Sequence, residues 1–223
     1  MIRAVLFDLD GTLVNSLEDI AFGVNRSLTK FGFPTHPTED YRYFVGNGIP
    51  KMIERALPSE TDEKIRADVT SDFLSYYALH DRDFSTAYDG VKELLEELKN
   101  RGMKLAVVTN KADAIAQTVI KGFYGDLFDV IFGNREGILP KPDPTAARLT
   151  MEMLSVTPEQ CVFVGDSGVD VATGKNSGAY PVGVLWGFRE REELQENGAA
   201  AILEKPHELL TVIDCLNKGG TNP

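Results

Sequence analysis

The run Ala4-Val5-Leu6-Phe7 is stopped by Asp8-Leu9-Asp10-Gly11, and the run Cys161-Val162-Phe163-Val164 is stopped by Gly165-Asp166-Ser167-Gly168. A short apolar run without polar alternation marks a strand buried on both faces, the condition of a parallel sheet covered by helices. Further runs of this kind occupy residues 105–108, 130–132, 180–184 and 200–203. Helical patterns separate them. After Gly90, for example, Val91, Leu94, Leu95 and Leu98 fall at i, i+3, i+4 and i+7, one apolar stripe that Gly102 brings to a stop. Similar patterns follow Lys111, Asp143, Gly168, Phe188 and Pro206. Strand and helix therefore alternate from about residue 84 onward, which predicts an α/β fold with a doubly wound, Rossmann-like parallel sheet.

Residues 15–83 break that rhythm. They offer no strand run, and their spacing predicts helices over 17–31, 49–57 and 64–79, divided by Phe33-Pro34-Thr35-His36-Pro37 and Pro58-Ser59. An all-helical insertion (15–83) within an α/β core (1–14 and 84–223) accounts for this. The chain then crosses between the two parts near 14–16 and again near 84–88, and paired linkers of this kind are natural hinges. The tail, 218–223, is expected to fray.

Charge limits the partners. Asp and Glu number 34 against 23 Lys and Arg, a net charge of −11, which is unsuited to a nucleic-acid backbone. No stretch reaches the ~18 to 20 apolar residues of a membrane span, and Asp8 cuts the first apolar run too early for a secretory leader, so a cytoplasmic enzyme is expected. His36, His80 and His207 lack zinc-site spacing. Cys161 and Cys215 read as reduced structural residues. A small metabolite, with no nucleic acid and no membrane, is the expected partner, and the chain could be a monomer or a homodimer.

Ligands of open α/β sheets bind beyond the carboxyl ends of the strands, where this chain gathers its reactive side chains. Asp8 and Asp10 stand one residue apart after the first run, a repulsive pairing suited to a cation or to acid/base work, and Gly11 permits a tight turn. Thr109 and Asn110 follow the second run and suit a phosphoryl oxygen at a helix N-terminus. Lys141 stands between Pro140 and Pro142, which stiffen its backbone. Asp166 and Asp170 follow the run at 161–164. Several carboxylates near one lysine suit a hard divalent cation such as Mg²⁺.

The order D-L-D-G-T-L, V-V-T-N, K-P-D-P and V-G-D-S-G-V-D resembles the motifs of the haloacid dehalogenase superfamily, most of whose members are phosphatases. That resemblance implies that Asp8 is the nucleophile and Asp10 the acid/base residue. It implies Mg²⁺ held by an Asp8 oxygen, the Asp10 backbone carbonyl and Asp166, with Asp170 orienting these ligands. Thr109, the Asn110 backbone and Lys141 would neutralise the equatorial oxygens of the transferring phosphoryl group. An aspartate at position 10 excludes the dehalogenating members, which lack it, and the ion-pumping members, which carry Thr there. The helical insertion resembles the superfamily's mobile cap. Within it, Phe44-Val45-Gly46-Asn47-Gly48 and Glu54-Arg55-Ala56-Leu57, with Lys111 after the Thr-Asn pair, are similar to bacterial phosphoglycolate phosphatases. The small substrate is then phosphoglycolate, with Gly46, Asn47 and Gly48 in its loop. Its carboxylate would be met by a cap cation, Arg42, Lys51 or Arg55, with Lys51 favoured for its place beside the glycine loop. A pyrophosphatase or a β-phosphoglucomutase-like isomerase of the same superfamily shares these motifs, and a receiver-type signalling domain is the non-enzymatic alternative.

Overall fold

The computed structural model describes residues 1–220. Strands β1 (Ala4–Phe7), β4 (Lys104–Ala112), β5 (Val130–Asn134), β6 (Cys161–Gly165), β7 (Tyr180–Val184) and β8 (Ala201–Leu203) form one parallel sheet in the order β5-β4-β1-β6-β7-β8. Helices α5 (Val91–Asn100), α6 (Asp113–Tyr124), α7 (Thr145–Met153), α8 (Gly168–Ser177), α9 (Arg191–Glu196) and α10 (Glu208–Asn217) alternate with them. Side chains of successive strand residues point to opposite faces. Val5, Phe7, Val107 and Val164 thus share a core with the apolar stripes of α5, α6 and α10. On the other face Ala4, Leu6, Val108 and Phe163 pack with Ala147 and Met151 of α7. Burial on both sides is why the strand runs are apolar throughout, and it makes this the doubly wound α/β fold that the alternation predicts.

The topology decides where a site can form. From β1 the chain winds outward through β4 and β5, then returns to the opposite side of β1 for β6, β7 and β8. The winding direction therefore reverses beside β1, and a crevice opens beyond the carboxyl ends of β1, β4 and β6. One element differs from expectation there. Thr109 and Asn110 do not lead straight into a helix: β4 continues to Ala112. Between the pairs Val108–Phe132 and Ala112–Asn134, β4 advances four residues while β5 advances two. This bulge turns the segment 109–111 out of regular register, toward the crevice.

Between β2 (Val14–Asn15) and β3 (Thr86–Ala87) the chain forms α1 (Leu17–Lys30), α2 (Tyr41–Phe44), α3 (Ile49–Ala56) and α4 (Glu63–Tyr77). The Asp62 carboxylate accepts the Lys64 N–H at 2.8 Å and caps α4. Val69, Phe73 and Tyr77, one helical stripe of α4, are buried in the same core as Ile20, Val24 and Leu28 of α1. The two crossing segments are held together by antiparallel pairing of β2 with β3, Val14 opposite Ala87 and Asn15 opposite Thr86. Buried Asp19 of α1 reinforces this by accepting the backbone N–H groups of Phe84 (2.9 Å) and Ser85 (2.7 Å) as well as the Ser85 hydroxyl. In the tail, Gly219 and Gly220 hydrogen-bond back to Leu216 and Cys215, and the remainder of the expected frayed segment, 221–223, lies outside the described residues. Among the described residues no helix is long and apolar enough to cross a membrane.

Candidate active site

Asp8 occupies the position after β1, its N–H still bonded to Val164 of β6 at 2.9 Å, so the sheet itself fixes its carboxyl group at the crevice. Asp166 approaches from the end of β6. The space it needs is left by two glycines: a Cβ at Gly11 would lie 2.3 Å from Asp166 Oδ2, and one at Gly187 would lie 2.3 Å from Asp166 Cβ. Carboxyl oxygens of Asp8, Asp166 and Asp170 come within 4.8 Å of one another, and all three residues are buried. Burial, then the charges of Asp170 and Asp10, push the Asp8 carboxyl up to about 7 against the opposing pull of Lys141. Burial and the charges of Asp170 and Asp8 push Asp166 up to about 8. Such a cluster of desolvated like charges calls for a cation.

Lys141 answers part of that demand. Its ammonium lies 2.6 Å from Asp170 Oδ1 and 2.8 Å from Asp8 Oδ1. The first contact is a hydrogen bond, whereas Asp8 Oδ1 is in ion-pair distance without hydrogen-bond alignment. Burial opposes the lysine's charge, but the two carboxylates outweigh it and hold its pKa above the ordinary lysine value. The lysine backbone is fixed as well, its N–H donating to Asn110 Oδ1 at 2.7 Å and its carbonyl accepting from Asn110 Nδ2 at 3.1 Å. Asp170 is fully committed: Oδ1 to Lys141, and Oδ2 to the Ser167 N–H (3.1 Å) and hydroxyl (2.6 Å). Asp166 accepts the Phe188 N–H at 2.8 Å.

Asp10 is oriented differently. Its Oδ1 accepts from the Ser16 hydroxyl at 2.5 Å and from Lys111 Nζ at 2.9 Å. Lys111 also donates to Tyr77 Oη of α4 at 2.8 Å, joining the helical segment to the strand edge. Burial disfavours the Lys111 ammonium, but Asp10 and Tyr77 together outweigh it and raise its pKa. The Thr109 hydroxyl accepts the Lys111 N–H at 3.3 Å and is buried at the same edge.

Several of these groups line one cavity, while Lys141 and Asp170 are not part of its lining. Asp8, Asp10, Thr109, Asn110, Lys111 and Asp166 line its floor, and Gly46 and Gly48 line it from the insertion. Its remaining wall is largely apolar: Ile20, Val45, Ile49, Met52, Phe73 and Phe188. Asn110 Nδ2 donates to the Gly46 carbonyl at 2.9 Å, so the glycine loop is tied to the strand edge. Asn47 and Lys51 are not brought to the cavity. The Asn47 side chain accepts from Arg55. Lys51 pairs with Glu54 at 2.7 Å on the exposed side of α3, because Ile49 and Met52 turn the inward face of that helix. Lys51, expected to meet the substrate, thus points away from this cavity. Arg42 donates to the carbonyls of Phe188 and Gly187, and Arg55 to those of Tyr43 and Phe44, so both fasten loops. The sequence reading missed Tyr77 and Arg189, which also line the cavity. Arg189 could have been found, since it lies in the loop after β7 and the strand-end rule that nominated the other loops applies there too.

A family model described as haloacid dehalogenase-like hydrolase matches residues 5–184. A phosphoglycolate phosphatase of Colwellia psychrerythraea is 36% identical over 215 residues, covering 93% of this chain and 95% of that one. A phosphoglycolate phosphatase of Mannheimia succiniciproducens is 37% identical over 220 residues, covering 95% and 98%. Among solved structures, one described as a predicted phosphoglycolate phosphatase from Haemophilus somnus superposes with a TM-score of 0.89 at 30% identity, covering 95% of this chain and 98% of that one.

Proposed function

Since the chain belongs to the haloacid dehalogenase-like hydrolase family, we propose that it is a phosphoric monoester hydrolase that acts on phosphoglycolate through a phosphorylated Asp8. The observation that carries the reading is a cluster of three buried carboxyl groups, of which Asp8 and Asp166 line the cavity, with the Lys141 ammonium paired to Asp8 and Asp170. A dianionic phosphoryl group can enter such a site only where positive charge offsets the carboxylates.

The residues fit a divalent cation. Asp8 and Asp166 carry pKa values raised by burial and then by the charge of Asp170, and a hard cation with oxygen ligands relieves both. Mg²⁺ would be held by the Asp8 carboxyl, the Asp10 carbonyl and Asp166, and would supply neutralisation of the phosphoryl oxygens. Asp170, with both oxygens engaged, serves to hold Lys141 and Ser167 in place.

An Asp8 carboxylate oxygen attacks phosphorus, and the bond from phosphorus to the ester oxygen breaks. Asp10 gives its proton to the departing alkoxide, then takes one from the water that attacks the aspartyl-phosphate, releasing phosphate and restoring Asp8. Ser16 and Lys111 fix the Asp10 carboxyl for both transfers. Lys141, Thr109 and the Asn110 backbone stabilise the equatorial oxygens as charge develops. The helical segment 15–83 acts as a cap, and β2 with β3 forms its hinge. Its apolar residues over the cavity exclude water during the first transfer.

Two things support phosphoglycolate. Relatives bearing that name match nearly the whole chain, and the apolar wall offers little to the hydroxyls of a hexose phosphate. Steady-state phosphate release with Mg²⁺ from phosphoglycolate, pyrophosphate, β-glucose 1-phosphate and p-nitrophenyl phosphate tests the reading, with Asp8→Asn as the blank. We expect kcat/KM to favour phosphoglycolate by about 100-fold, equivalent to about 2.7 kcal/mol. A preference for pyrophosphate, or flat turnover across the panel, would overturn the substrate assignment.

A further inference from the structure

A substrate that carries a carboxylate besides its phosphate needs a second cation inside the cavity, away from the phosphoryl end. Of the cationic side chains, Lys111 and Arg189 line the cavity. The ammonium of Lys111 is engaged by Asp10 and Tyr77. Arg189 differs in both position and unspent capacity. It belongs to the loop after β7, its side chain is only 9% exposed, and its Nε lies 3.2 Å from Glu193 Oε2. The other oxygen of Glu193 accepts the Gly168 N–H at 2.8 Å, so the carboxylate that orients Arg189 is itself anchored at the start of α8. Nη2 donates to the Val45 carbonyl at 3.0 Å, and the guanidinium lies over the Tyr43 ring, 5.5 Å from its centre. A guanidinium has five N–H donors, of which these contacts engage only some. The neighbouring Phe188 N–H is bonded to Asp166, which fixes the Arg189 backbone relative to the phosphoryl end of the cavity.

We propose that Arg189 is the specificity-determining residue that binds the substrate's carboxylate, a role that rests on the phosphoglycolate reading above. The cation is thus supplied by the core sheet. The bond from Nη2 to Val45 places the glycine-loop segment next to the same guanidinium, so carboxylate binding and cap closure share one anchor. Glu193 acts as a positioning residue, holding the planar fork in the orientation that a lysine at position 189 would lack.

The test compares phosphoglycolate with ethyl phosphate, which keeps the phosphate and lacks the carboxylate, in the wild type, Arg189→Met and Arg189→Lys. Loss of the Val45 contact lowers kcat/KM for both substrates alike, so the ratio between substrates is the readout. Truncating one partner of a buried, hydrogen-bonded charge pair is costly, so the ratio should fall at least about 30-fold in Arg189→Met. Arg189→Lys should give an intermediate ratio, since one ammonium cannot reproduce the fork. It also provides the reading if the methionine variant fails to fold. Equal losses on the two substrates would overturn the inference and leave the substrate assignment standing. A wild type that does not prefer phosphoglycolate to ethyl phosphate would overturn both.

Discussion

The raised carboxyls make a quantitative prediction about metal binding. In the metal-free protein Asp8 is pushed up to about 7 and Asp166 up to about 8, burial being the first cause for each and neighbouring carboxylates the next. Mg²⁺ must displace whatever protons these groups hold, so each pH unit below a carboxyl's pKa weakens apparent affinity up to about tenfold for that carboxyl. Between about pH 8.5 and about pH 6 the two together should raise the apparent Kd by roughly two to three orders of magnitude. Stability follows with a definite sign. A carboxyl whose folded-state pKa is raised favours folding below its ordinary value of 3.8, and that contribution is lost as pH rises through about 7 to 8. The metal-free protein should therefore lose stability from about pH 4 up to about pH 7 to 8 and level off above it, and saturating Mg²⁺ should restore it, giving the largest metal-induced rise in Tm at alkaline pH. Calorimetric titration in two buffers of different ionisation enthalpy, with thermal melts at the same pH values, measures both effects. A pH-independent Kd, with no proton release on binding at about pH 6, would refute the reasoning.

Other perturbations have defined outcomes. Lys141→Met leaves the Asp8 and Asp170 carboxyls without their shared ammonium, and breaking a buried pair typically costs about 3–5 kcal/mol, so urea midpoints should fall and phosphate release should drop by about a thousandfold or more. Asp19→Ala strips the acceptor from Phe84 N–H, Ser85 N–H and the Ser85 hydroxyl, which should cost roughly 2–3 kcal/mol in a denaturant titration. Lys51→Ala should leave kcat/KM within about twofold of wild type, because its pair with Glu54 is exposed, screened by solvent and outside the cavity.

Much of the core was legible because its chemistry interrupts its hydrophobicity. Asp8 and Asp166 stop apolar runs that bury on both faces, so their positions at strand ends follow from the run lengths alone. Lys141 stood out through its flanking prolines, and its structural partners Asp8, Asp170 and Asn110 come from three different motif segments. Other features depend on contacts that periodicity does not encode. The bulge that moves Thr109, Asn110 and Lys111 out of register arises from β4 and β5 advancing at different rates. Whether Lys51 or Met52 faces the cavity depends on the rotation of α3, and adjacent helix residues differ by about 100°. Tyr77 reads as one more apolar position of α4, and only the fold brings its hydroxyl to Lys111.

The aspartyl-phosphate is the account's central claim, and borohydride trapping during turnover tests it most directly. Asp10→Asn with p-nitrophenyl phosphate is the suitable pair, since that leaving group departs without an acid while hydrolysis of the intermediate still needs the Asp10 base. Quenching with borohydride and mapping the peptides should find homoserine at position 8, formed by reduction of the acyl phosphate, and none in Asp8→Asn. Turnover with no reducible intermediate, or homoserine at another aspartate, would contradict the account.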